Sequence, residues 1–199
     1  MSDPKAVFVG ITGASGAVYG LRLVEVLLGG GHGAHLCASE WGQKVVEQET
    51  GTPWPVWTDR FAASAPGRFH VHDPAAMGSG PASGSFLIDA AVVVPCSMAT
   101  LGHLASGAAT NLVHRAATVS MKEGRPLILV PRETPLGLID LRNLTTLAEA
   151  GAAILPAMPA FYHQPQSIGD LVDFVVGKIL DRLGVAHQQF PRWEGKEFS

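Results

Sequence analysis

The chain is predicted to fold as an α/β protein, a mostly parallel sheet wrapped by helices, and three observations predict it. Short β-branched runs, "AVFVGI", "AHLCAS", "AAVVVP", "PLILVP" and "AAILPA", recur along the sequence. After a polar or glycine-containing turn, each is followed by a longer segment with apolar residues three or four apart. Runs joined through helices pair in parallel, because the crossover returns the chain to the same end of the sheet. Finally, 47% of the 199 residues are hydrophobic and only 16% charged, a balance that suits one sizeable core. The expectation is a single domain over 1–199, with its core over about 5–183 and a surface or interface tail over 184–199.

The first run leads into "GITGASGAVYGLRL". Gly10, Gly13 and Gly16 are each three apart, which is not the dinucleotide pattern, and no Lys-Ser/Thr follows to make a nucleoside-triphosphate loop. What remains is a tight turn of small residues with hydroxyls at Thr12 and Ser15, facing the positive end of a helix, an arrangement suited to an anion. The competing reading is that the glycines only permit close strand-to-helix packing. The helix carries Leu21, Val24 and Leu28 on one face and ends at Gly29, Gly30 and Gly31. Ser39 follows the second run. Residues 50–82 break the rhythm with Pro53, Pro55, Pro66, Pro74 and Pro81 and read as a long excursion. Within it His70 and His72 alternate as on a partly buried strand; without further ligands at a recognised spacing they do not make a metal site.

"AAVVVP" ends at Cys96, Ser97 and Thr100, with Ser83 and Ser85 shortly before it, and "PLILVP" at Arg132 and Glu133. Any one of these hydroxyls reads best as a helix cap. Their gathering at several strand ends marks a ligand site, since open α/β sheets bind at the carboxyl ends of their strands. Lys122 closes a helix that starts near Thr110. The last helix opens on Ser167 with Asp170 in the capping-box position, then places Leu171, Val175 and Ile179 along one stripe. The tail, including Phe190, Pro191 and Trp193, has no helical period.

Composition excludes several classes. A net charge of −3 with scattered Lys and Arg supplies no basic stripe for nucleic acid. Two cysteines make no disulfide framework, and the first residues lack the pattern of a signal peptide, which points to a reducing cytoplasm. No apolar run approaches the roughly 20 residues needed to span a bilayer.

"GITGASGAVYGLRL", "PCSMATL", "RPLILVPRETPL" and "PAFYHQPQS", in this order and at these separations, resemble the UbiX-type flavin prenyltransferases, formerly labelled aromatic acid or phenylacrylic acid decarboxylases. The likeness runs from about Val7 to Leu183. It implies a flavodoxin-like or Rossmann-like three-layer sandwich with FMN at a subunit interface of a homo-oligomer, the dodecamer usual among relatives. The implied reaction joins a dimethylallyl group from dimethylallyl monophosphate to N5 and C6 of reduced FMN, without a metal, making the prenylated cofactor of a UbiD-type decarboxylase.

By the same resemblance, Gly13, Ala14, Ser15, Ser39, Arg132 and the turn of Ser97, Met98, Ala99 and Thr100 contact FMN. Lys122, Tyr162 and Lys178 hold the prenyl phosphate, and Ser15, Glu49 and Glu133 are the catalytic residues. Glu49 and Glu133 are the proton handlers, Glu49 acting across an interface. The chain departs from the pattern at Glu40 and Trp41, where relatives commonly have Lys and a small residue, at Gly124, where an Arg is common, and at Lys178, where many have Arg. His103 is expected on a helix surface, and Cys96 as a small buried hydrophobe. The alternative is an FMN-dependent cysteine decarboxylase of the same fold, whose "PASAN" stretch reads "PASGS" here. A flavin module without catalysis would leave Lys122 and Lys178 without purpose.

Overall fold

Val, Ile and Leu at successive positions of the strands are buried on both sides, as a sheet covered on both faces requires. A computed structural model describes residues 3–193 and 195. Its strands are β1 (Ala6–Ile11), β2 (Gly33–Ala38), β3 (Phe69–His72), β4 (Ala90–Cys96), β5 (Leu127–Pro131) and β6 (Ala153–Ile154). All pair in parallel, in the order β3-β2-β1-β4-β5-β6. The helices are α1 (Ala17–Gly29), α2 (Glu40–Thr50), α3 (Trp54–Ser64), α4 (Met98–Ala105), α5 (Leu112–Lys122), α6 (Leu138–Glu149) and α7 (Ile168–Leu183). Without β3 the strands follow the flavodoxin order, and with it the Rossmann order, so the fold class is as expected. The order reverses between β1 and β4, and that switch point is where such sheets gather their ligands.

Alternation along β1 sends Val7, Val9 and Ile11 into the layer formed with α1 and α7, and Phe8 into the layer formed with α5. Gly10 points the same way as Phe8. A Cβ there would meet Val113 Cγ1 at 2.7 Å, so this glycine permits close packing of α5 and holds no ligand. The Ser167–Asp170 capping box forms as expected. Ser167 Oγ accepts from Asp170 N at 3.1 Å, while the Asp170 carboxylate accepts from Ser167 N at 3.1 Å.

Two expectations are revised. The excursion over 50–82 contains α3 and β3, because Pro53 sits at the cap of α3 and Pro55 in its first turn, where no intrahelical N–H is lost. "AAILPA" is reduced to the two residues of β6. The tail turns back on its own α7: Val185 and Phe190 are buried, and Arg192 donates two bonds to Asp181, at 2.8 and 2.7 Å. Residues 194 and 196–199 of that tail lie outside the described residues. No helix among the described residues is long and apolar enough to cross a membrane, and no group of three or more His, Cys, Asp or Glu among them is arranged to hold a metal.

The edge of the sheet carries a stack of imidazoles. His35 lies 4.8 Å from the ring of His70 and 5.3 Å from that of His72, and its Nδ1 is 3.1 Å from His72 Nε2. Burial, with the charge that His72 and His70 would carry, lowers the His35 pKa to about 4. The unfolded chain therefore binds more protons below about pH 6.5, and stability falls as pH drops from there toward 4. Denaturant unfolding at pH 7, 5.5 and 4.5 is expected to show that loss and a shallower loss in His35→Phe. An equal slope in the two proteins would show that the stack does not titrate this way.

Candidate functional site

The site is assembled from the connections that leave the carboxyl ends of β1, β2, β4 and β5. Thr12 is buried. Its Oγ1 donates to the Pro95 carbonyl at 2.7 Å and accepts from Ser97 N at 2.8 Å, so it joins the ends of β1 and β4. It is therefore a structural clamp and not the ligand hydroxyl that the glycine loop suggested. Beyond it Gly13 and Ser15 are exposed and Ala14 is buried. Gly16, at φ 108°, takes the left-handed conformation that starts α1.

No side chain of the loop caps α1. The Glu49 carboxylate does so from α2, accepting from Gly16 N at 2.8 and 3.1 Å and from Ala17 N at 2.8 Å. A carboxylate at this end satisfies the orphan N–H groups and matches the positive end of the helix dipole. This corrects the reading of α1 as an open anion site. Within its own chain Glu49 is thus held against the start of α1.

Arg132, just after β5, donates from Nε to the Ser15 carbonyl at 3.0 Å and so fixes the turn from the other side of the switch point. Tyr19, half-buried on the first turn of α1, feels both charges: burial raises its pKa, Arg132 opposes the shift and Glu49 adds to it. Sequence reasoning missed Tyr19; its position three residues after Gly16 was the available signal. The exposed Glu133 accepts from Thr134 N at 3.0 Å.

Ser39 and Ser97 are helix caps, as their residue type favours. Ser39 Oγ accepts from Gly42 N at 3.0 Å, and its own N–H donates to the Ile11 carbonyl at 2.9 Å. Ser97 Oγ accepts from Thr100 N at 3.3 Å and donates to Thr100 Oγ1 at 3.2 Å. Met98 and Ala99 form the first turn of α4, half-buried and exposed respectively. Trp41 backs the glycine turn, since a Cβ on Gly13 would meet Trp41 Cβ at 2.8 Å.

A cleft of about 290 Å³ opens beside this turn, lined by Ser39, Glu40, Trp41, Pro74, Ala75, Thr110 and Asn111. The capped ends of α2 and α5 both face it. Asn111 caps α5 by accepting from His114 N at 3.0 Å, a pattern visible in "TNLVHR" but not singled out from the sequence. A larger cavity of about 400 Å³ between α1, α3 and α7 contains none of the predicted residues.

The residues expected to hold a phosphate are divided. Lys122 ends α5, in one helix layer, and pairs with Glu123. Lys178 lies on α7, in the other layer, 3.6 Å from Asp181. The sheet stands between them. Tyr162 is on the α7 side, edge-on to Trp193 at 5.5 Å and to Phe174 at 6.0 Å. One chain thus brings together Gly13, Ala14, Ser15, Ser39, Glu49, the Ser97–Thr100 turn and Arg132, but not Lys122 with Lys178. Cys96 is fully buried and burial pushes its thiol up, which fits the small-hydrophobe reading.

An α/β sandwich with small hydroxyls, helix ends and one arginine at its switch point is the architecture of a flavin-binding protein. A family model described as Flavoprotein matches residues 1–180, and the chain belongs to that family. Within it, the chain is a member of the flavin prenyltransferases. The flavin prenyltransferase UbiX of Pseudomonas aeruginosa is 44% identical over 200 residues, covering 97% of this chain and 96% of that protein. LpdB, the flavin prenyltransferase of Lactiplantibacillus plantarum, is 46% identical over 196 residues, covering 96% and 99%. Among solved structures, AnUbiX (PadA1) in complex with FMN and dimethylallyl pyrophosphate superimposes with a TM-score of 0.90 at 39% identity, covering 98% and 100% of the two chains. A dodecameric FMN-dependent UbiX-like decarboxylase from Escherichia coli O157:H7 gives 0.88 at 41% identity, covering 96% and 100%.

The residues present suit FMN. Free N–H groups at helix starts and nearby hydroxyls are the donors that a phosphate and a ribityl chain would use. The Glu49 cap is testable without the flavin. Glu49→Ala is expected to lower the stability of the protein by about 1 kcal/mol, the usual worth of a helix cap, while Glu49→Gln retains most of it. Equal denaturation midpoints for wild type and Glu49→Ala would show that the cap is not made.

Proposed function

We propose that the protein transfers a dimethylallyl group from dimethylallyl monophosphate to reduced FMN, making prenylated FMN for a UbiD-type decarboxylase. The observation that carries this reading is the convergence of the Gly13–Ser15 turn, Glu49, the Ser97–Thr100 turn and Arg132 at one switch point, in a chain 44% identical to a UbiX protein. When bound, reduced FMN supplies the nucleophilic nitrogen and carbon that accept the prenyl group. The chain's own residues do the rest. Ser39 and the turns over 13–15 and 97–100 hold the flavin, and Arg132 keeps the first turn in place through the Ser15 carbonyl. Ser15 is exposed beside the reacting face, and Glu133 moves a proton there. Lys122 and Lys178 stabilise the charge that grows on the departing phosphate, and Tyr162 donates a hydrogen bond to it.

The division of Lys122 and Lys178 between two helix layers supports a site completed by a second copy of the chain. We extend this to a dodecamer, the assembly of the E. coli relative. Exposed Met158, Phe161 and Ile168 flank Tyr162 and supply apolar surface for that contact. Both cysteines are unpaired and buried, which suits a reducing cytoplasm. The cysteine decarboxylase alternative is not favoured: the decarboxylase TvaF shares the fold at only 20% identity, with a TM-score of 0.61.

Loss of Glu133 and loss of the lysines are expected to separate. Glu133→Gln retains FMN, but single-turnover prenyl transfer slows by roughly a hundredfold. An undiminished rate would remove Glu133 from the mechanism. Lys122→Ala or Lys178→Ala weakens dimethylallyl monophosphate binding to the FMN-loaded protein by about ten- to a hundredfold and leaves FMN affinity nearly unchanged. Unchanged affinity in both variants would dismiss the phosphate site, and a parallel loss of FMN would assign the lysines to the flavin.

A further inference from the structure

A hydrogen-bonded string lies behind the Ser97–Thr100 turn, and the buried ring at its centre has none of the roles proposed above. His114, the third residue of α5, is 4% exposed. Its Nε2 is 3.3 Å from Thr100 Oγ1 and its Nδ1 is 3.1 Å from Thr110 Oγ1. Thr100 is itself 4% exposed, and its Oγ1 accepts from Ser97 Oγ at 3.2 Å. The string therefore runs from Thr110, on the wall of the cleft, through the buried ring to the cap of α4. His103 of α4 covers the other side. Its ring stacks on that of His114 with centroids 4.6 Å apart, and its Nδ1–H donates to the Ala99 carbonyl at 2.8 Å. His103 is thus half-buried against a partner, where the sequence placed it on a helix surface.

Burial, aided by His103, lowers the His114 pKa to about 4, so at pH 7 the ring is neutral, with one nitrogen donating and the other accepting. Thr110 N donates to His114 Nδ1 at 3.4 Å, so Nδ1 is the acceptor and Nε2–H donates to Thr100 Oγ1. Thr100 Oγ1 then accepts from both Nε2–H and Ser97 Oγ, and its own proton is turned away from the ring. A hydroxyl that would otherwise rotate is given one direction, and Ser97, bonded to it, inherits that order.

We infer that His114 is a positioning residue of the flavin site, acting through Thr100 to orient the Ser97–Thr100 hydroxyl pair on the turn that holds FMN. This rests on the placement of FMN at that turn. Its novelty lies in the buried ring: "NLVHR" contributes to the site from behind and touches no ligand.

The test is a double-mutant cycle read by FMN binding to the whole protein, using quenching of flavin fluorescence. Thr100→Val and His114→Phe are each expected to weaken FMN binding by roughly three- to tenfold, the worth of one hydrogen bond. Because His114 acts through Thr100, the double variant should lose no more than either single one. His114→Gln, whose amide reaches the Thr100 hydroxyl, should recover most of the affinity. Additive losses, or a His114→Gln as weak as His114→Phe, would reduce His114 to a packing residue and overturn the inference. So would an unchanged affinity in His114→Phe alongside a weakened Thr100→Val. An unchanged Thr100→Val would instead remove FMN from this turn, and the inference would fall with that placement. Should His114→Phe not fold, His114→Asn replaces it in the cycle, being polar but too short to reach Thr100.

Discussion

The Thr12 hydroxyl, buried between the carboxyl ends of β1 and β4, is the contact on which the site depends. These two strands flank the point where the sheet order reverses, and their connections leave in opposite directions to opposite helix layers. Past the end of β1 the backbone supplies one tie to β4, Thr12 N donating to the Pro95 carbonyl at 3.2 Å, and the side chain has to secure the rest. Thr12 does so by spending its one proton on Pro95 and one lone pair on the Ser97 N–H. Each bond contributes about 1 kcal/mol; without the hydroxyl the Pro95 carbonyl keeps the Thr12 N–H, but a Ser97 N–H left unpaired costs about 1–3 kcal/mol, so the pair holds geometry more than it adds stability. The other ties build on this one: Arg132 reaches the Ser15 carbonyl from β5, Glu49 caps α1 from α2, and His114 holds Thr100 from α5.

Much of this was legible in the sequence for physical reasons. Apolar runs with period-matched helices between them specify a parallel sheet because no other arrangement buries both faces, and the Ser167–Asp170 box declares its helix through local hydrogen bonds alone. The excursion over 50–82 was opaque because Pro53 and Pro55 break a helix in its interior but start one at its first turn, and only the structure shows which applies. The roles of Thr12 and Glu49 were hidden for another reason. Both depend on contacts between residues 85 and 32 or 33 positions apart, and no local pattern encodes which N–H a side chain will find. Ser39 and Ser97 kept their legible role as caps. His114 escaped notice because a lone histidine on an apolar helix face announces nothing until its two neighbours are known.

The residues proposed to bind phosphate show how far one chain goes. Lys122 and Lys178 carry the strongest chemical argument for a prenyl phosphate, yet the sheet separates them, and each is partly neutralised by a neighbouring carboxylate. A cation shared with an acid at the surface is available to a phosphate, whose double charge competes well for it. The residues proposed for flavin lie together within one chain, whereas those proposed for the donor lie in two helix layers. Trp41, a departure from the usual pattern, belongs to the flavin side, where its side chain backs the Gly13 turn.

The most direct test is the mass of the flavin recovered after the protein is incubated anaerobically with reduced FMN and dimethylallyl monophosphate. A flavin heavier by one C5 unit, absent when either partner is withheld, is the predicted result. FMN recovered at its original mass, from protein shown to bind both ligands, would contradict the assignment and leave a flavoprotein that does not transfer prenyl groups.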